Sequence, residues 1–153
     1  MDEKLIKVTD RLRSLCSRRE YCVSDVRAKA LKALEGDSAA ADEVIAVLVE
    51  EKYVDDLRYA SAFARDKSAI QGWGAVKIRY MLSAKRIAGD VIDRALEDID
   101  DGKASDRMAR LLDNKYKVLE DDPQWRLKLL RFALGRGYSY DEVNDYIMKL
   151  RRK

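Results

Sequence analysis

Apolar residues recur along most of the chain in steps of three and four residues. This spacing places apolar side chains on one face of an α-helix, where they can be buried together. No stretch alternates apolar and polar residues with the two-residue period of a β-strand, so we predict an all-α protein. The clearest examples lie in three stretches: Leu5, Val8, Leu12 and Leu15; Ile92, Ala95, Leu96 and Ile99; and Val143, Tyr146, Ile147 and Leu150.

Turn-forming and capping residues divide this pattern into about nine helices. Gly74 precedes one of them. Asp122 followed by Pro123 is typical of an N-cap and a first helical residue. Ser139 and Glu142 have the spacing of a capping box, in which each side chain bonds the backbone N–H of the other residue.

The predicted helices fall into three triplets. Asp42, Asp90 and Asp141 are separated by 48 and 51 residues, and each marks the start of the third helix of a triplet. A unit of about 48 residues buries too little surface to be stable alone, whereas stacked units share their cores. We therefore predict an elongated array, straight or curved, of three tandem three-helix repeats. The predicted units are residues 1–54, 55–101 and 102–153.

Composition narrows the classes of function. Charged residues make up 39% of the chain, and Pro and Gly, which helix interiors exclude, number one and seven. The net charge of +3 permits contact with nucleic acid or with an acidic protein surface but requires neither. The sequence has no recognisable signal peptide and no apolar run near the ~20 residues that span a bilayer, so we expect a cytoplasmic protein that makes no membrane contact.

The residues present also limit the chemistry. The chain has no His, which excludes a His-based triad, a His general base and a His-ligated metal. Cys16 and Cys22 match no common zinc spacing, and we expect both to be reduced. Asp55 and Asp56 are adjacent and point about 100° apart on a helix, so we interpret them as an N-cap and a first-turn carboxylate. No Gly-rich phosphate loop is present, and we expect no cofactor and no metal.

The most basic region beside a predicted core is residues 65–86. Trp73 stands between two glycines, where a large ring either stacks on a base or packs beneath the loop. Basic groups beside an aromatic ring can hold phosphates, and the alternative is a solvated helix face. On the helix that follows, the predicted buried stripe is Ala75, Ile78, Met81 and Leu82. The candidate contacts to a partner are Arg65, Lys67, Trp73, Lys77, Arg79, Lys85 and Arg86.

A second basic helix begins near Trp125 and occupies the equivalent place in the third repeat. Equivalent basic helices in successive repeats would form a stripe along one side of the array, as contact with a filament or a nucleic-acid strand requires. Its candidate contacts are Arg126, Lys128, Arg131 and Arg136. The C-terminal cations either extend this stripe or complement the dipole of the last helix: Lys149, Arg151, Arg152 and Lys153.

Three stretches, taken together, resemble the RecX family. Residues 15–26 read LCSRREYCVSDV, similar to the family opening S/A-R-R-E-Y-S. Residues 51–60 read EKYVDDLRYA, similar to G-Y-I-D-D-x-R-F-A. Residues 74–96 resemble G-x-x-x-I-x-x-x-L-x-x-K-G-I followed by a helix that ends in A-L. The chain departs from these patterns at Lys52 and Arg86, where the family has Gly.

The resemblance implies a non-enzymatic modulator of the RecA recombinase, usually an inhibitor. Family members are thought to bind the groove of the RecA–DNA filament and to hinder its growth, its ATP hydrolysis and strand exchange. The implied partners are the RecA filament and single-stranded or double-stranded DNA, and we expect a monomer. Two other hypotheses stay open: a stand-alone, sequence-independent DNA-binding protein, and a structural helical scaffold for another protein.

Overall fold

The computed structural model describes residues 1–151 of the chain. Within that range the chain forms nine α-helices and no β-strand, as predicted. Two residues of the predicted basic extension, Arg152 and Lys153, lie outside the described residues. The helices are α1 (Glu3–Cys16), α2 (Val23–Ala33), α3 (Ser38–Glu50), α4 (Asp56–Ala69), α5 (Ala75–Ala84), α6 (Gly89–Glu97), α7 (Asp101–Leu119), α8 (Trp125–Gly135) and α9 (Tyr140–Arg151).

Buried side chains form three separate hydrophobic clusters, one for each triplet of helices. We call α1–α3 unit 1, α4–α6 unit 2 and α7–α9 unit 3. In the described part of the chain, the two helices of every pair in extensive contact belong to the same unit. We propose residues 1–54, 55–101 and 102–153 as the extents of these units. Residues at the cluster centres are Val26, Val44 and Leu48; Ile78, Leu82 and Ile92; and Leu112, Leu129 and Val143.

Capping side chains fix several helix starts. The carboxylate of Asp55 accepts a hydrogen bond from the N–H of Arg58 at 3.0 Å, which confirms Asp55 as the N-cap of α4. The predicted capping box before α9 is also confirmed. Its two bonds run from Ser139 N to Glu142 Oε2 at 2.9 Å and from Glu142 N to Ser139 Oγ at 3.2 Å.

Two predicted helix starts are wrong. Asp122 and Pro123 form a turn instead of starting α8, because Trp125 N–H donates to the Asp122 carbonyl and the helix begins only at Trp125. The helix α3 begins at Ser38, four residues before Asp42, because the Asp37 carboxylate caps it there. At α3 a nearby carboxylate therefore replaces the one chosen from the repeat pattern, whereas at α8 the Asp122 carboxylate accepts from the N–H of Gln124 within the turn.

The predicted buried stripe of α5 is only half correct. Ile78 and Leu82 are fully buried, whereas Ala75 is exposed and Met81 is 37% exposed. The first turn of α5 contacts unit 3 through its backbone, which leaves the Ala75 side chain in solvent.

The middle helices of neighbouring units, α2, α5 and α8, meet end to end. At the first junction, between units 1 and 2, the Ser24 hydroxyl at the start of α2 donates to the Lys85 carbonyl at the end of α5 (2.6 Å). At the second junction, between units 2 and 3, the Gly74 N–H before α5 donates to the Arg136 carbonyl after α8 (2.8 Å). One residue crosses the first junction, because Cys22 precedes α2 but packs in the cluster of unit 2.

Candidate partner-binding site at the second junction

Two backbone segments are in direct contact at the second junction. Besides the bond from Gly74, the N–H of Val76 donates to the Gly137 carbonyl at 3.0 Å. This approach requires glycine on both sides. A Cβ at Gly74 would lie 2.3 Å from the Gly137 oxygen, and a Cβ at Gly137 would lie 2.3 Å from Lys77 Cβ. The first N–H groups of α5, which lack partners in their own helix, are therefore satisfied by carbonyls at the end of α8.

Side chains of unit 3 fix the loop before α5. The Tyr138 hydroxyl donates to the Gly72 carbonyl at 2.7 Å, and the Arg136 guanidinium donates to the Gln71 carbonyl at 3.2 Å. Burial raises the pKa of Tyr138 above its ordinary value, so the hydroxyl keeps the proton that it donates. These bonds hold Trp73 in a defined position.

The indole ring of Trp73 is half-buried and has two ammonium groups against it. Lys67 Nζ lies 4.8 Å and Lys77 Nζ lies 4.2 Å from the ring centroid, within the range of cation–π attraction. Phe63 packs edge-on against the same ring, with centroids 6.1 Å apart. We call Phe63, Lys67, Trp73 and Lys77 the Trp73 cluster. Its ring packs against the core of unit 2, which is the second of the two arrangements that the sequence left open.

Positive charge is concentrated at this cluster. Within residues 1–151, neither Lys67 nor Lys77 forms an ion pair with a carboxylate. Their ammonium groups can therefore bind phosphate or carboxylate oxygens of a partner. Arg136 contributes a third cation beside the loop, and its guanidinium lies 5.3 Å from the Phe132 ring.

Three of the predicted contact residues are instead neutralised by aspartates. Each of these cations is partly exposed, so the ion pairs contribute little to the stability of the fold. They do engage the positive charge of each side chain. A cation that is already paired with an aspartate is less available to bind an anionic partner. The pairs are Arg79 with Asp93 (2.7 Å), Lys85 with Asp25 (2.8 Å) and Lys128 with Asp122.

The remaining predicted residues are exposed cations outside the cluster: Arg65, Arg86, Arg126 and Arg131. In the part of the chain that the structure describes, no hydrogen bond or ion pair joins them to it. Helical geometry also separates them, because Arg126 and Arg131 point about 140° apart on α8. Lys77 and Arg79 point about 160° apart on α5. The cations of these two helices therefore do not share one face.

Three residues at this junction were missed from the sequence. Gly137 permits the backbone approach, Tyr138 holds the loop, and Lys115 Nζ lies 5.1 Å from the Phe132 ring beside Arg136. A signal for Gly137 existed, since the repeat aligns it with Arg86, where the RecX pattern has Gly. Lys115 had none, because it lies on a helix outside the basic segments.

The two departures from the RecX pattern have a common backbone explanation. Lys52 has a φ of +65° and Arg86 a φ of +61°. Both lie in the left-handed region, where glycine alone carries no steric penalty. The family pattern therefore has Gly where the backbone favours it, and this chain tolerates a side chain in the same conformation.

Neither a metal site nor a membrane span is found in the described range. No group of three or more His, Cys, Asp or Glu residues there could hold a metal ion. No helix of residues 1–151 combines the length and the apolar character needed to cross a membrane.

Sequence comparisons identify relatives for most of the chain. Residues 55–96, which cover most of unit 2, match the family model described as RecX, second three-helix domain. Regulatory protein RecX of Vibrio campbellii is 35% identical over 133 residues, which cover 85% of this chain and 83% of that protein. Regulatory protein RecX of Clostridium tetani is 30% identical over 118 residues, covering 74% of this chain but 54% of that protein. The chain thus spans about half the length of such clostridial relatives.

A crystal structure of RecX from Lactobacillus salivarius has the same fold. The two chains superpose with a TM-score of 0.87 over the full length of both, at 21% sequence identity. At that identity the superposition shows the shared fold alone. The Vibrio relative shows the family as well, because it is 35% identical to this chain and the match covers 83% of that protein. The chain therefore belongs to the RecX family of regulatory proteins.

Proposed function

We propose that this protein is a negative regulator of the RecA recombinase. In this proposal it binds the RecA–single-stranded DNA filament and limits filament extension, ATP hydrolysis and strand exchange in recombination and DNA repair. Membership of a regulatory family supports the proposal. The observation that carries it is the Trp73 cluster, where Lys67 and Lys77 form no ion pair within residues 1–151 and the second junction fixes their position.

The Trp73 cluster fits an anionic surface better than an unstacked nucleic-acid base. Both ammonium groups lie over the Trp73 ring and the ring itself is half-buried, so a base has little room to stack on it. Lysine ammonium groups bind phosphate or carboxylate as compact point charges. The proposed contact is therefore electrostatic, to the DNA backbone in the filament or to an acidic face of RecA.

Regulation by this route needs occupancy and no chemical step. A protein that binds one state of a filament more tightly than another shifts the filament toward that state. Lodged between successive RecA protomers, three units joined at the two junctions would oppose the addition or rearrangement of protomers. We propose that the chain acts in this way and not as an enzyme.

The test is RecA ATP hydrolysis on single-stranded DNA with this protein substoichiometric to RecA. We expect inhibition well beyond what competition for bare DNA allows, because each bound molecule blocks many protomers. Inhibition that appears only when the protein saturates the DNA would contradict regulation of the filament and favour the stand-alone DNA-binding hypothesis.

Salt dependence separates the two possible partners of the cluster. If the protein as a whole neutralises ~5 phosphates of single-stranded DNA, the logarithm of the affinity falls with the logarithm of the salt concentration with a slope of about −3.5. A flat response for DNA alone, together with strong inhibition of RecA, would assign the cluster to an acidic protein surface.

A further inference from the structure

A groove of about 660 Å³ lies between α1 and α2 in unit 1. It is separate from the Trp73 cluster, which lies in unit 2, and none of its residues was predicted as a contact. Side chains of both helices line it, at positions three and four residues apart. The lining residues are Val8, Arg11, Leu12, Ser14, Leu15, Arg18, Lys29, Lys32 and Ala33.

The rim of the groove is cationic and has no acid of its own. Arg11, Arg18, Lys29 and Lys32 are exposed, and no carboxylate lines the groove. Among the described residues, none of these four cations forms an ion pair. The neighbouring acids pair with cations outside the groove: Asp10 with Arg13, Glu20 with Arg58, Asp25 with Lys85 and Glu35 with Lys4.

The floor of the groove is aliphatic. Leu15 and Ala33 are half-buried there, between the core and solvent. No aromatic side chain lines the groove, and the nearby Tyr21 ring is buried with the Arg19 guanidinium 4.4 Å above it. Nucleic-acid bases would therefore find no ring to stack on, whereas aliphatic side chains would find a matching floor.

We propose that this groove binds an acidic amphipathic helix of a partner protein. Apolar residues of that helix, spaced three and four apart, would pack on Leu15 and Ala33. Its carboxylates would reach the cations along both edges, Arg11 and Arg18 on one side and Lys29 and Lys32 on the other. The site is a second docking surface, and it does not depend on the function proposed for the Trp73 cluster.

The probe is a fluorescein-labelled synthetic helix of about 16 residues with Leu at the i, i+3, i+4 and i+7 positions and Glu at the positions that flank this stripe on both sides. Its binding to the full chain is measured by anisotropy. A scrambled peptide of the same composition keeps the charge and loses the apolar stripe. We expect the scrambled peptide to bind at least about tenfold more weakly, a loss of about 1.4 kcal/mol. Equal binding of both peptides, or no binding of either, would overturn the proposal.

Paired variants locate the binding site. Arg11→Glu with Lys32→Glu should weaken binding of the amphipathic peptide about tenfold or more. Arg110→Glu with Lys117→Glu makes the same change of charge at exposed positions of α7 and should leave binding within about twofold. If the first variant misfolds by circular dichroism, Arg11→Gln with Lys32→Gln replaces it. Equal losses in the groove and α7 variants would overturn the assignment to the groove.

A thymidine oligonucleotide of about 20 nucleotides tests the nucleic-acid alternative. We expect any binding of it to survive Arg11→Glu with Lys32→Glu. If these substitutions abolish oligonucleotide binding and leave peptide binding intact, the groove is a nucleic-acid site and the proposal is wrong.

Discussion

The two junctions join the same helix ends by different means. At the first junction, side chains make the bonds: the Asp56 carboxylate accepts from the N–H of Val23 at 2.8 Å, and the Ser24 hydroxyl donates to the Lys85 carbonyl. At the second junction, backbone N–H groups donate directly to backbone carbonyls. The equivalent positions differ in whether the residue is glycine. Cys22 precedes α2, whereas Gly74 precedes α5. Arg86 follows α5, whereas Gly137 follows α8.

Two missing Cβ atoms therefore decide how closely two helix ends approach. With glycine on both sides, α5 and α8 come close enough for backbone bonds. Where Cys22 and Arg86 have side chains, the ends stay apart and polar side chains fill the space. At the first junction Lys85 is paired with Asp25, whereas the lysines at the second have no carboxylate partner within residues 1–151.

The largest effect is expected from a single methyl group at the second junction. Gly74→Ala places a Cβ against the Gly137 carbonyl and should lower the free energy of unfolding by about 1–3 kcal/mol, as overpacking does. Urea unfolding followed by the fluorescence of Trp73 and Trp125 measures it. Gly135→Ala is the matched control, since a Cβ there meets nothing within 4 Å. A Gly74→Ala protein as stable as the control would contradict the close approach.

A smaller effect is expected at the first junction. Asp56→Ala removes the acceptor for the N–H of Val23 and should cost about 1 kcal/mol, in the range of a lost N-cap. Asp56→Asn retains an oxygen acceptor and should cost much less. Hydrogen exchange at the Val23 amide reports the same bond locally, and equal exchange rates in the two variants would show that Asp56 does not cap α2.

The Asp25–Lys85 pair should contribute less than about 1 kcal/mol, because both side chains are more than a third exposed. Burial opposes ionisation of Asp25, but the hydrogen bonds from Lys85 and Cys22 and the charges of Lys85 and Lys29 together outweigh it and lower the pKa of Asp25 below its ordinary 3.8. Its contribution is therefore complete above that value and is lost as pH falls through the lowered pKa. The stability difference between the parent protein and Asp25→Asn should shrink below pH 3.8. A difference that is unchanged in acid would exclude the pair.

The smallest effect is a gain. Arg86→Gly removes a side chain from a left-handed backbone position, and glycine's greater freedom in the unfolded chain offsets part of the benefit. We expect a net stabilisation of roughly 0.5 kcal/mol, and a similar gain for Lys52→Gly. Thermal unfolding of both variants measures it, and a loss of stability in both would mean that the side chains make contacts that outweigh the strain.

Local sequence signals predicted the helices well. The apolar spacing, the Asp55 cap and the capping box at Ser139 depend on residues at most four apart, and the structure contains all of them. The repeat likewise followed from spacing alone. The predicted start of α8 was wrong because the sequence Asp122-Pro123 is compatible with a turn as well as with a helix start, and the chain forms the turn.

The candidate site could be predicted only in part, because its contacts are long-range. The aspartates that neutralise Arg79 and Lys85 lie on other helices, and Asp25 belongs to another unit. The approach of Gly74 to Gly137 joins residues on either side of a unit boundary, and no local pattern indicates it. The sequence shows where the basic residues are, but it does not show which of them pair with a carboxylate in the fold.

We propose that regulation of the RecA filament depends on the Trp73 cluster. Its most direct test is RecA ATP hydrolysis on single-stranded DNA with Lys67→Glu combined with Lys77→Glu, compared with the α7 variant Arg110→Glu with Lys117→Glu. We expect the cluster variant to need about tenfold more protein for half-inhibition, while the α7 variant inhibits like the parent protein. If both variants inhibit as the parent does, the cluster does not contact the filament and its proposed role is wrong.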